Sequence, residues 1–359
     1  MLRSLRNKEP VNRQSRGWNL PTWEDMMIFF RSLIISASAL AMVSAASAAE
    51  VYRMGGGPSG GAWHPAWSAA TQLLNQELGS KYRFQYTPTA GSVGNARRVR
   101  SQELASGWAH MPQVYESWTG TGGFKQDGPS HNFRVIGNVR EQTQIVAVLA
   151  DSPIHSFSDM KGKVVSLLSK GSGSSANCVN MFKGLGLMDE IKQRYMNFSA
   201  SARALGDRQI DVFCSAGVPY QIPALTQLSI SKPVRYISLT PEEQKKLTTT
   251  FKFYSPVTIP VQKDVKGMDR PALTIGYNVW WIVSKKMSDQ AITDMLKTIY
   301  NPKNLKTLAS TASYWKSLSG KFESLVPYKV YVDPAAAKFW DAHGYKVPSE
   351  IIKGYGNGN

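Results

Sequence analysis

One order of elements occurs twice in this chain, and it excludes most folds. After residue 50 comes a strand, VYRM (51–54), then a glycine loop, MGGGPSGG (54–61). A helix follows near Trp63–Glu77, with Ala66, Ala69, Ala70, Leu73 and Leu74 on one face. YRFQYTP (82–88) is a strand that stops at a Thr-Ala-Gly-Ser turn, a helix spans Ser92–Leu104 with Ser92 as its N-cap, and WAHMP (108–112) is a third strand. The order then restarts with the strand VVSLLS (164–169), the loop KGSGSS (170–175) and a helix Ala176–Leu185. RYMNF (194–198) is a strand, Ser199-Ala200-Ser201 a turn, Ala202–Leu205 a short helix, and IDVFCS (210–215) a strand. Each half reads β-α-β-α-β, the order of a parallel sheet covered by helices.

Two stretches join the halves. FRVIGNVREQTQIVAVLA (133–150) reads as a strand, a turn and a second strand leaving the first half; ALTIGYNVWWIVS (272–284) reads as β-structure bringing the chain back. The expected fold is therefore α/β: two similar lobes joined by hinge strands, like a type II periplasmic binding protein, and not one large sheet. Lobe 1 takes residues 50–148 plus 280–359, and lobe 2 takes 149–279. Such a layout is that of a two-lobed ligand trap.

The glycine loop carries two familiar spacings. Gly55-x-Gly57-x-x-Gly60 has the dinucleotide fingerprint, but the second strand ends Tyr86-Thr87-Pro88-Thr89 with no acid to hold a ribose. Gly57-x-Ser59-x-Gly61 has the spacing of a hydrolase nucleophile elbow, yet none of His64, His110, His131, His155 and His343 sits in a supporting motif. No zinc or calcium ligand pattern is present, and no cofactor is expected. What remains is four Gly/Ser turns, at 57–61, 91–92, 171–175 and 199–201, each handing over to a helix. Unpaired N–H groups and the positive end of a helix dipole make such turns suited to anions. In a doubly wound sheet they lie at the carboxyl ends of the strands, where ligands bind.

The chain's first residues suggest export. Residues 26–49 hold Arg31, a short apolar run from Leu33 to Val43, and Ala46-Ser47-Ala48, the A-x-A form of a signal-peptidase site, with cleavage near Ala48 or Ala49. Residues 1–49 are thus read as an N-terminal extension and signal peptide, and the mature protein as periplasmic. The chain has 42 Lys and Arg against 25 Asp and Glu; the first 49 residues carry 6 and 3 of these, leaving 36 against 22, or +14. These charges are scattered in pairs such as Arg97-Arg98 and Lys245-Lys246, which describes a solvated basic surface or a field that draws in organic anions, not a nucleic-acid tract. Cys178 and Cys214 are either two buried thiols or a disulfide; a bridge would contribute about 3–4 kcal/mol.

Spread along residues 51–345, six stretches resemble the TAXI-type solute-binding proteins of TRAP (tripartite ATP-independent periplasmic) transporters. They are GGGPSGGAWHPAWSAATQLLN, TPTAGSVGNARRV, SDMKGKVV (158–165), GSGSS (171–175), IDVFCSAGVP (210–219) and VDPAAAKFWDAHGY near the end. The sequence departs from the family at Trp63 and His64, where a tyrosine pair is usual, at His110 in WAHMPQ, and at Asp333 and Ala335. The first two departures fall at cleft positions, so the family's amino-acid ligands do not carry over. The resemblance implies no enzyme but a monomeric periplasmic receptor. It would bind a small anionic solute, a carboxylate or amino-acid-like molecule, and deliver it to the ion-coupled TRAP membrane permease subunits. A sensing protein that feeds a signalling partner, and an exported serine hydrolase using Ser59, are the other readings. The candidate ligand-binding residues of the first lobe are Ser59, Gly60, Gly61, Gly91 and Ser92, with Trp63 and His64 shaping the pocket and Gln113 offering a neutral hydrogen bond. From the second lobe come Ser172, Gly173, Ser174, Ser175, Gly217 and Tyr220. Arg140 and Arg97 are the candidate charge partners.

Overall fold

The strands are built around two unusually long ones. In the computed structural model, which describes residues 23–24, 49–262 and 267–355, β4 (Phe133–Leu149) and β10 (Ala272–Ser284) run antiparallel through the middle of the sheet. The export segment and its cleavage site lie outside the described residues. Residues 49–359 gather into one unit.

On one side of this pair lies the first repeat: β1 (Glu50–Gly55), α1 (Trp63–Leu78), β2 (Tyr82–Thr87), α2 (Ser92–Arg100) and β3 (Ser106–His110), with β1 paired parallel to both β2 and β3. The chain then enters α3 (Met111–Thr119) directly. On the other side lies the second repeat: β5 (Val164–Ser166), α4 (Gly173–Leu185), β6 (Lys192–Arg194), α5 (Phe198–Gly206) and β7 (Val212–Gly217), with β5 parallel to β6 and β7. Helix α6 (Pro223–Ser231), β8 (Val234–Tyr236), α7 (Pro241–Thr250) and β9 (Ser255–Ile259) follow before β10. Helices α8 (Asp289–Tyr300), α9 (Pro302–Thr311) and α10 (Pro334–Asp341) then return to the first half, where α9 and α8 pack on α1.

Both β-α-β-α-β units and the α/β class agree with the sequence pattern. Several bounds shift: α2 ends at Arg100 and not Leu104, β3 is Ser106–His110 and not 108–112, and α4 starts at Gly173 and not Ala176. The strand order β2-β1-β3-β10-β4-β7-β5-β6 is one continuous ladder, because β4 gives its first half to β10 and its residues 143–147 to β7. The turn expected inside 133–150 is absent: β4 runs unbroken from Phe133 to Leu149, and two register shifts against β10 leave Ile136 and Val139 of β4 without a β10 partner. RYMNF is strand only at its first residue, and Ser199–Ser201 is not a turn but the first turn of α5, because Asn197 accepts from the Ala200 amide at 2.8 Å and starts the helix there.

Aromatic packing fixes the first half. Trp67, Trp108, Trp281 and Trp315 are fully buried, with ring centroids 4.7–5.8 Å apart. Each such pair contributes about 0.5–1.5 kcal/mol beyond its area. Trp315 belongs to a 3₁₀ turn, Ser313–Ser317, so this cluster also sets the position of its neighbour Tyr314. Near the start of β4 the buried Arg134 donates to the carbonyls of Phe133 and His131, each at 2.8 Å, and to those of Lys353 at 2.6 Å and Gly354 at 2.7 Å. The Tyr355 ring covers its guanidinium at 4.2 Å.

Candidate functional site

The carboxyl ends of β1, β3, β5 and β7 open on one narrow cleft of about 510 Å³, part of it open to solvent. Two helices aim their N-termini at it. Helix α2 starts after Gly91, whose φ of 97° only glycine takes easily. Helix α4 starts after Ser172, whose hydroxyl accepts from the Ser175 amide at 3.0 Å. That cap leaves the amides of Gly173 and Ser174 with no acceptor inside the helix, as the geometry leaves those of Ser92 and Val93.

The two helix starts meet closely. A Cβ on Gly173 would lie 2.4 Å from the Ser92 Cβ and 2.6 Å from the His110 Nδ1. Nearby, a Cβ on Gly60 would come within 2.9 Å of the Ser199 Oγ, and one on Gly61 within 3.6 Å of the Phe198 ring. The loops of one repeat thus stand against the helix starts of the other.

A buried hydrogen-bond network lies behind the helix starts. The Ser92 hydroxyl accepts from the His110 amide at 2.8 Å and donates to Gln113 Oε1 at 3.0 Å. Gln113 Nε2 donates to Asn177 Oδ1 at 3.2 Å, and Asn177 Nδ2 lies 3.2 Å from His110 Nδ1, which links the two repeats. Burial pushes the His110 imidazole down to about 3, so it is uncharged at neutral pH. Asn95, also buried, donates to the carbonyls of Gly56 and Trp108, each at 2.9 Å, and fastens the glycine loop to β3.

Eight of the sequence-expected residues line the cleft: Gly61, Trp63, Gly91 and Ser92 from the first repeat, and Ser172, Gly173, Ser174 and Gly217 from the second. Seven do not. Ser59 and Gly60 are exposed and outside the cleft lining. His64 Nδ1 is engaged with the Tyr86 hydroxyl at 2.6 Å. Gln113 spends its amide on Ser92 and Asn177, and Ser175 is buried as the third residue of α4. Tyr220 turns away, stacking on Tyr236 and donating to the Pro260 carbonyl at 2.7 Å. Arg140 lies over the Tyr314 ring at 5.2 Å and donates to the Ser313 Oγ at 3.3 Å, so it sits behind a wall residue. Arg97 pairs with Asp127 at 2.9 Å on the surface. Nor is Ser92 an N-cap; it is the first helical residue, and Gly91 holds the cap position.

Sequence reading placed His110 at the cleft, where it lies, and missed Gln142, Tyr314, Phe198 and Gln221. Gln142 was within reach: with side chains alternating along β4, it shares a face with Arg140, two residues away. Tyr314 was not, since only the tryptophan cluster brings it there. Among the described residues, no Lys, Arg, Asp or Glu lines the cleft. Cys178 of α4 and Cys214 of β7 are joined by a disulfide, with Gln144 Nε2 at 2.9 and 3.2 Å from the two sulfurs.

The model of the NMT1-like family matches residues 54–344. Among solved structures, the periplasmic aliphatic sulphonate binding protein of Escherichia coli is similar at 15% identity, covering 84% of this chain and 95% of that one, with a TM-score of 0.42. An alkanesulfonate-binding protein from Xanthomonas axonopodis pv. citri, bound to MOPS, has 14% identity, coverage of 85% and 97%, and a TM-score of 0.43. An L-cystine ABC transporter protein from Listeria monocytogenes has 12% identity, coverage of 75% and 97%, and a TM-score of 0.45.

Proposed function

The chain belongs to the NMT1-like family, and from that premise we propose that it is a periplasmic solute receptor holding a small organic anion in the cleft between its two repeats. The observation that carries this reading is the meeting of two helix N-termini, those of α2 and α4, at one cavity. Free amides and two positive dipole ends attract negative charge there without any cationic side chain. Residues 50–148 with 280–359, and residues 149–279, are the bodies that close on the solute, flexing along β4 and β10; contacts from both stabilise the closed state. The resemblance to TAXI-type proteins makes an ion-coupled TRAP permease the membrane partner that receives the solute.

Purified residues 50–359 should gain thermal stability with some members of a panel of small organic acids. A ligand at a hundredfold excess over its Kd contributes about 2.7 kcal/mol, which raises Tm by several degrees. A flat response across the whole panel, sulfonates and carboxylates alike, overturns the receptor reading.

A further inference from the structure

One bond between the two halves is built to open and shut, an inference that rests on the receptor reading above. Ser313, in the 3₁₀ turn after α9, donates its hydroxyl to Gln221 Oε1 at 2.7 Å. Ser313 belongs to the half that takes in residues 280–359, and Gln221 to the half of residues 149–279, where it lines the cleft. Both ends are held in place. Ser313 precedes Tyr314, which stacks on Trp108 at 5.6 Å, and Trp315, which is locked in the tryptophan cluster. Gln221 follows Tyr220, a non-glycine residue at φ 63°. Such a backbone is strained and persists only where its surroundings fix it. Here they do: the Tyr220 amide donates to the Tyr236 hydroxyl at 3.2 Å, its ring stacks on Tyr236, and its own hydroxyl donates to the Pro260 carbonyl at 2.7 Å.

The bond is tied to the strands on which the halves flex. Arg140, on β4, donates from Nη1 to the Ser313 Oγ at 3.3 Å, which polarises that hydroxyl toward Gln221. Beside Arg140, Val139 is skipped in the pairing with β10, between Val279↔Arg140 and Trp280↔Asn138. A skipped residue lets a strand bend there. One side chain thus reaches from the bending point to the bond. The bond also differs from the buried link between His110 and Asn177: it is exposed, so water takes over both partners when it breaks. Parting the halves at Ser313 and Gln221 strands no buried polar group, whereas breaking the buried link would.

We infer that the Ser313–Gln221 hydrogen bond is a latch. With Arg140 behind it, it holds the cleft shut in the empty protein, and its breaking is the first step of opening for a solute to enter or leave. An exposed hydrogen bond shifts a two-state balance by roughly three- to tenfold. That is enough to set how often the cleft opens and too little to trap the protein in one state.

Distances between spin labels, measured on residues 50–359 without any solute, test this. Lys245 of α7 and Lys303 of α9 are exposed, one on each half; in Lys245→Cys/Lys303→Cys the bridged native cysteines take no label. Adding Gln221→Ala should raise the ratio of the longer to the shorter distance by roughly three- to tenfold. Ser313→Ala should match it, the two together should add nothing further, and Arg140→Met should give a smaller shift in the same direction. Gln221→Glu keeps an acceptor for the Ser313 hydroxyl and should stay as closed as the parent, a rescue that a damaged fold cannot show. An unchanged ratio in both alanine variants overturns the latch and leaves the receptor reading in place. Additive effects overturn the pairing of the two residues, and no shift in Arg140→Met overturns the part given to Arg140. A flat thermal response to the acid panel removes the receptor reading, while these distances still decide the latch.

Discussion

At the scale of single residues, Gly173 is the sharpest test of how the two repeats meet. As the first residue of an ordinary helix, alanine there would stabilise by up to about 1 kcal/mol. Here the added methyl would press on a Cβ and a ring nitrogen, neither of which can swing aside. Gly173→Ala should therefore destabilise by about 1–3 kcal/mol in denaturant melts and weaken solute binding; a stabilised variant would mean that the close approach is not real. His110 makes a second prediction. Its folded value of about 3 lies below the ordinary 6.5, so between these pH values the unfolded chain binds a proton that the folded one does not. Stability then falls as pH falls, by about 1.4 kcal/mol per unit below pH 6.5. Melts between pH 7 and 4.5 should show this slope, and His110→Gln should flatten it. The sequence revealed the helix-start residues because glycine and serine mark such turns locally. It misplaced Gln113 because its partners, Ser92 and Asn177, are set by packing.

At the scale of elements, the Cys178–Cys214 bridge ties α4, which supplies one helix start, to β7, which supplies Gly217. Cys178→Ala/Cys214→Ala should lose about 2–5 kcal/mol of stability. Alkylation of both sulfurs in unreduced, denatured protein would show that no bridge had formed. Composition alone left this pairing open, since two cysteines far apart in sequence say nothing of distance. Element boundaries were legible where a local rule decides them. Strand β10 and the start of α1 match the sequence reading, since a β-rich run and an aromatic-led small-residue face are signals in themselves. The boundaries failed where a distant element overrides the local signal. Residues 133–150 read as a strand, a turn and a strand, yet pairing with β10 and β7 holds Phe133–Leu149 in one strand. The 199–201 serines read as a turn until Asn197 caps them into α5.

For the whole molecule, the repeated β-α-β-α-β order was readable because it is written contiguously, whereas the joining of both halves into one ladder was not. That joining has a consequence in time. Strands β4 through β8 lie within residues 133–236, so the second repeat can complete its pairing as soon as that stretch exists. The first repeat cannot. Its strand β3 borders β10, made more than 160 residues later, and the Arg134 guanidinium gains its last acceptors from Lys353 and Gly354. Long-range pairings of this kind form late. Pulse-labelled hydrogen exchange during refolding should find the amides of β5 and β7 protected before those of β3; simultaneous protection would contradict it. A chain emerging from a ribosome or a translocation pore would thus finish its trailing half first and leave its leading half waiting for the final residues, an interval in which a holding chaperone would find an open strand edge to shield.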